Sequence, residues 1–208
     1  NAKILLKHGK NALILNNLVW WWLVKKANKQ QVSIIAGKWR RRILSFPIQD
    51  GLRPTPNRIR ETLFNWLGQD LTGLDCLDLF AGSGALGFEA ASRNANSVLL
   101  IENNPEAVQA LKDNQSILKA DAISIQKMDA FLFLSKGKHP FDIIFIDPPF
   151  AQDLWQSVLV LLPPFLKKST LVYLECQRLP DLTDWTIVKQ TKAGQVTCVL
   201  LHYGHAVE

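Results

Sequence analysis

Apolar residues along this chain fall into short runs, and the spacing within successive runs switches between two patterns. Cys76–Phe80, Ser97–Ile101, Ile123–Gln126, Phe141–Ile146 and Leu171–Glu175 are mainly apolar and read as buried strands. Gly84–Arg93, Pro105–Leu118, Ala130–Ser135 and Leu154–Leu162, lying between them, carry helical spacing. Pro105 suits a first helical turn, where its missing N–H costs nothing. Thr186–Lys189 and Gln195–His202, joined through Ala193-Gly194, have no helix between them and predict an antiparallel edge.

Upstream, Asn57 is placed to cap a helix running to about Leu67 and closed by Gly68. Ile59, Leu63, Phe64 and Leu67 form its apolar stripe. Val32–Ala36 and Arg41–Ser45 predict a hairpin with a basic, aromatic tip at Gly37-Lys38-Trp39-Arg40. The strand–helix alternation predicts an α/β fold with seven strands. Its sheet is mostly parallel with an antiparallel edge strand, it has helices on both faces, and a small N-terminal β-hairpin extends it.

Composition narrows the class. With 208 residues, 48% hydrophobic and 20% charged, the chain fits one α/β domain with small additions and excludes a disordered chain. Three cysteines cannot all pair, and all lie in apolar runs, which suits a reducing compartment. Four histidines and three cysteines show no metal-ligand spacing. No apolar stretch is long enough to span a bilayer.

Charge divides the chain. Residues 1–60 carry 13 Lys/Arg against one acid, Asp50; the remainder carries 11 against 17 acids. A basic arm on an acidic body suggests a polyanionic partner, although a solvated tail has the same composition. Residues 1–31 read as an atypical basic extension around Trp20-Trp21-Trp22, residues 32–56 as hairpin and loop, and residues 57–208 as the main domain.

Two motifs carry chemistry. Gly82, Gly84 and Gly87 form a G-x-G-x-x-G between the first sheet strand and its helix. Glycines there permit a tight turn and bring backbone N–H groups to a ligand at the helix N-terminus. Glu102, 20 residues after Gly82, ends the next strand and can accept from two ribose hydroxyls. This pattern predicts a nucleoside-containing cofactor. Asp78 precedes the loop where it would repel a pyrophosphate and attract a cationic amino-acid end, which favours S-adenosylmethionine (SAM) over NAD. Phe80, Ser83 and Ala130 are further candidate cofactor-binding residues, and Asp129 can accept from an adenine amine or cap the following helix.

The second motif is Asp147-Pro148-Pro149-Phe150, at the end of the Phe141–Ile146 strand. The prolines fix the backbone and leave carbonyl acceptors. An acid, free carbonyls and a ring can hold a planar amine and stack on its base.

These motifs, together with Ile34-Ile35-Ala36-Gly37-Lys38-Trp39-Arg40, Gly51-Leu52-Arg53-Pro54-Thr55 and Arg58–Leu67, resemble the RsmD family from about Val32 to His202. Members are bacterial 16S rRNA guanine-N2 methyltransferases with a Rossmann-like class I fold. The resemblance implies SAM as cofactor and Asp147, Pro148, Pro149 and Phe150 as the catalytic corner. It implies that Arg53 and Thr55 belong to a loop closing over the cofactor. Lys38, Arg40, Arg41, Arg42, Arg58 and Arg60 would then meet rRNA phosphates. The implied protein is a cytoplasmic monomer acting on 16S rRNA, in a 30S particle or an assembly intermediate. A DNA adenine or other amine methyltransferase, or an inactive RNA-binding module, are the alternatives that the residues leave open.

Overall fold

The computed structural model describes residues 29–48, 55–137, 139–148 and 154–204. The extension read over residues 1–31 therefore lies outside the described residues as far as residue 28. Lys29–Gln31 belong instead to the first strand.

Seven strands build one sheet: β3 (Asp75–Asp78), β4 (Ser97–Glu102), β5 (Ile123–Lys127), β6 (Phe141–Ile146), β7 (Leu166–Cys176), β8 (Trp185–Ala193) and β9 (Val196–Tyr203). Their order is β5-β4-β3-β6-β7-β9-β8. The first five of these positions are parallel, and β9 runs antiparallel to both neighbours. The antiparallel strand is thus one place inside the sheet, and β8 takes the edge. The chain steps outward from β3 to β5, then returns to β6 on the other side of β3. This reversal is the switch point at which ligands bind in such sheets.

Helices α1 (Asn57–Leu67), α2 (Ala85–Ser92), α3 (Pro105–Leu118), α4 (Ala130–Lys136) and α5 (Trp155–Leu161) cover the sheet. Alternation along each strand sends neighbours to opposite faces. Cys76, Ile143, Phe145 and Tyr173 pack under α1, α2 and α3. Leu77, Ile144, Ile146 and Val172 pack under α4 and α5. Pro105 opens α3 as expected, and Asn104 caps it by accepting from the backbone of Glu106 and Ala107. At α1 the cap differs from expectation: Asn57 is the first helical residue, and its Oδ1 accepts from the Arg60 guanidinium at 2.6 Å.

The hairpin strands are β1 (Lys29–Ser33) and β2 (Ile43–Pro47), paired antiparallel with a 3₁₀ turn at Gly37–Trp39 between them. Each strand lies a few residues further from the tip than the apolar pattern suggested. The intervening residues are held by Ile34 and Arg42 backbone bonds and by docking on α2. Trp39 is 8% exposed, so the tip's ring serves the core. The Trp39 backbone N–H donates to Ser92 Oγ, and Ser92 Oγ donates to the Ala36 carbonyl. Gly37 has φ of 77°, and a Cβ there would strike the Ser92 carbonyl. Only glycine allows so close an approach.

Glu89, on α2, ties this hairpin down. Its carboxylate accepts from the N–H groups of Ile35 and Ala36 at 2.7 and 3.0 Å. It also pairs with Arg60 at 3.5 Å and Arg93 at 2.9 Å. Arg60 is 0% exposed and donates to the Ser33 and Thr55 carbonyls. This corrects the expectation that Arg60 meets phosphates: a guanidinium sealed in the core by a carboxylate and two carbonyls cannot reach a ligand.

Candidate active site

The site forms where β3 and β6, neighbours in the sheet, both end. β3 leads into the glycine loop and β6 into Asp147-Pro148. The strand ends in residues whose side chains turn to the α1 side: Asp78 follows Cys76 by two, and Asp147 follows Phe145 by two.

Inside the loop, Gly84 caps α2 in the left-handed region with φ of 77°, a conformation suited to glycine. Ser83 is buried, and its Oγ accepts from the Ala85 N–H. Asp78 Oδ2 accepts from the Gly87 N–H at 3.1 Å. Asp78 is 2% exposed, and burial pushes its carboxyl up to about 7. The acid expected to face a cation is therefore also the anchor of the loop.

Glu102 ends β4, and both its oxygens are fixed. Oε2 accepts from the Gly82 N–H at 2.8 Å and Oε1 from the Asn104 N–H at 2.8 Å. Each oxygen keeps a further lone pair for a hydroxyl, and Glu102 remains half-exposed. A carboxylate held in this way, 20 residues beyond the loop glycine, fits the ribose of SAM. Asp129 caps α4 by accepting from the Leu132 N–H, with Ala130 as the buried first helical residue. Phe80 is half-buried at the loop's start and packs on the core beneath α4 and α5.

Asp147 is half-buried with its carboxyl turned inward, accepting from the Thr55 hydroxyl at 3.2 Å. Loss of solvation and then the charge of Glu175 hold that carboxyl well above the ordinary carboxylate range. Thr55, 5% exposed, is thus placed on the candidate residue Asp147, where the resemblance had suggested cofactor contact. Pro148 is buried beside it. Arg53, Pro149 and Phe150 lie outside the described residues. Sequence reasoning missed Glu175 on β7, 4% exposed, and its hydroxyl partner Tyr173 at 2.8 Å. The only signal was a lone acid closing an apolar strand.

The candidate phosphate-binding residues lie at the surface. Lys38, Arg40, Arg41, Arg42 and Arg58 are all exposed, and Lys38 Nζ lies 5.4 Å from the Trp39 ring centroid. Among the described residues no cluster of His, Cys, Asp and Glu could hold a metal, and no helix is long and apolar enough to cross a membrane.

Comparison with known proteins places this arrangement. The family model described as Conserved hypothetical protein 95 matches residues 32–202. Ribosomal RNA small subunit methyltransferase D of Escherichia coli K12 is 41% identical over 182 residues, covering 83% of this chain and 92% of that protein. The solved structure of the putative methyltransferase yhhF from Escherichia coli superposes with a TM-score of 0.76 at 38% identity, covering 84% of this chain and 99% of that one. An RNA methyltransferase from Salinibacter ruber, solved with S-adenosyl-L-homocysteine, shares the fold at 17% identity, with a TM-score of 0.59 and 75% and 97% coverage. The glycine loop, the clamped Glu102 and the Asp147 corner thus sit in a chain that belongs to the Conserved hypothetical protein 95 family, the RsmD family.

Proposed function

We propose that this protein transfers the methyl group of SAM to the exocyclic N2 amine of a guanine in 16S rRNA. One observation carries the reading: Asp147 and Pro148 end the strand next to the one that opens the glycine loop. Substrate amine and cofactor would meet at adjacent strand ends. When bound, SAM supplies a methyl already activated on a sulfonium, so no covalent enzyme intermediate is needed.

Glu102 holds the ribose hydroxyls, and Asp129 with Ala130 borders the adenine. Gly82, Ser83 and Gly84 approach the amino-acid end, with Phe80 and Asp78 behind them. A guanine amine is a poor nucleophile because its lone pair is delocalised into the ring. Asp147 accepts one amine hydrogen and the Pro148 carbonyl the other, which directs that lone pair outward. Phe150 stacks on the extruded base, and Arg53 belongs to the closing loop. Lys38, Arg40, Arg41, Arg42 and Arg58 bind rRNA phosphates.

The protein acts as a cytoplasmic monomer on a 30S particle or an assembly intermediate. The test is transfer of tritium from labelled SAM to rRNA of cells lacking the activity, followed by nucleoside analysis. N2-methylguanosine is expected; label in N6-methyladenosine would overturn the guanine assignment.

A further inference from the structure

β6 and β7 run parallel with Ile146 opposite Leu174, so Asp147 and Glu175 close adjacent strands side by side. Both face α1, as Phe145 and Tyr173 do two residues before them. The Tyr173 hydroxyl donates to Glu175 Oε1 at 2.8 Å. The Thr55 hydroxyl donates to Asp147 Oδ2 at 3.2 Å and also lies against the Glu175 carboxyl. One threonine proton therefore stands between two carboxyl groups.

Among the described residues the other neighbours bring no positive charge. Cys198, opposite Glu175 on β9, is a thiol pushed up to about 12 by burial. Cys176 is pushed up to about 11 for the same reason, and burial raises the Tyr173 phenol as well. Asp78 at the end of β3 adds a third acid near Asp147. The Trp155 indole donates to the Glu175 backbone carbonyl. Among the described residues no ion pair reaches Asp147 or Glu175.

Two ionised carboxylates side by side and out of water repel, and the arrangement relaxes by holding one proton. Thr55 lets that proton sit on either carboxyl: with it on Asp147 the Thr55 hydroxyl turns to Glu175, and with it on Glu175 the bonds run the other way. In the second arrangement Tyr173 O–H donates to one Glu175 oxygen, Glu175 O–H donates to Thr55 Oγ1, and Thr55 O–H donates to ionised Asp147.

We propose that Glu175 is a positioning residue for methyl transfer: it shares one proton with Asp147 through Thr55, and when it takes that proton Asp147 is ionised, oriented and ready to receive the proton that the target amine gives up. This rests on the amino-methyltransferase reading above. As the amine lone pair forms the new N–C bond, the electron pair of the broken C–S bond stays on sulfur. Nitrogen then carries the positive charge, its surplus proton passes to Asp147, and from there it goes to water.

The test compares the full-length wild type with Glu175→Gln and Glu175→Ala. Gln keeps a donor for Thr55 and an acceptor for Tyr173 but has no proton to lose. Single-turnover methyl transfer to rRNA should be bell-shaped in pH for the wild type. Its alkaline limb, where the pair loses its shared proton, should vanish in Glu175→Gln while the acid limb stays. Glu175→Ala should be slower by 10-fold or more at every pH. Carboxyl ¹³C NMR of the free protein, without RNA or SAM, gives a readout independent of turnover. Two separated steps, both above the ordinary carboxylate range, are expected for the wild type, and one in Glu175→Gln. Asp147 and Glu175 titrating together near ordinary carboxylate values, or a Glu175→Gln rate profile identical to wild type, would overturn the proposal. Label is followed in whichever nucleoside forms, so a product other than N2-methylguanosine counts against the guanine reading and not against the pair.

Discussion

Glu89 and Glu175 are both buried glutamates on the α1 side of the sheet, 0% and 4% exposed, yet their surroundings are opposite. Glu89 takes bonds from two arginines and two backbone N–H groups. Its charge is fully met, and it works as a clamp between hairpin and domain. Glu175 has hydroxyls, thiols and another acid around it. Burial alone therefore does not distinguish scaffold from chemistry. Compensation does: a buried acid with its cations is fixed, whereas one without them is left to hold a proton.

The comparison breaks most visibly at the clamp. Glu89→Gln leaves Arg60 and Arg93 buried without their counter-charge, and stability should fall by about 3–5 kcal/mol in denaturant unfolding. Asp78 belongs to the uncompensated side and should show it in pH. Its carboxyl titrates near 7 in the fold, against 3.8 ordinarily, so the folded state holds the proton more tightly than the unfolded chain. The stability contribution of Asp78 should fall as pH rises from about 4 to about 7, by on the order of 3–4 kcal/mol, and level off above. Asp78→Asn should remove that slope; a slope unchanged in the variant would place it elsewhere.

Asp147→Ala should reverse the Glu89 result. Turnover on rRNA should drop by roughly 10²-fold, while unfolding free energy shifts by less than about 1 kcal/mol. A variant equally active or badly unfolded would move Asp147 to the scaffold side. The smallest effect is expected at the surface. Neutralising Arg40, Arg41 and Arg42 should leave SAM affinity unchanged and flatten the salt dependence of rRNA binding by roughly 0.7–0.9 for each phosphate left without a cation. An unmoved slope would make the basic face a solvated one.

Local pattern carried the reading as far as local physics acts. The apolar runs marked β3 to β6, and Pro105 marked the start of α3, because burial on two faces and first-turn geometry are written in adjacent residues. The beginning of β7 was hidden: Lys167, Lys168 and Ser169 look like a loop, but they extend a strand starting at Leu166 opposite Phe141. The glycine loop and Glu102 were legible as a spacing. Arg60 was not, since its basic neighbours suggest a surface and its partner Glu89 lies 29 residues away on another helix. Glu175 was invisible for the same reason: what makes it matter is Asp147 on the next strand, a relation of register that no window of sequence contains.

The place of β9 governs when this molecule becomes an enzyme during its own synthesis. β9 follows β8 in the chain but lies between β7 and β8, and among the described residues β8 pairs with no other strand. Until residues 196–203 leave the ribosome, β7 has an open edge and β8 has nothing to pair with, a state that invites association with other chains. Cys198 of β9 faces Glu175, so the same late strand walls in the carboxyl pair. Nascent chains halted before residue 196 should thus hold a formed glycine loop yet be inactive and prone to aggregate. Competence then arrives in one step when β9 slides into its slot.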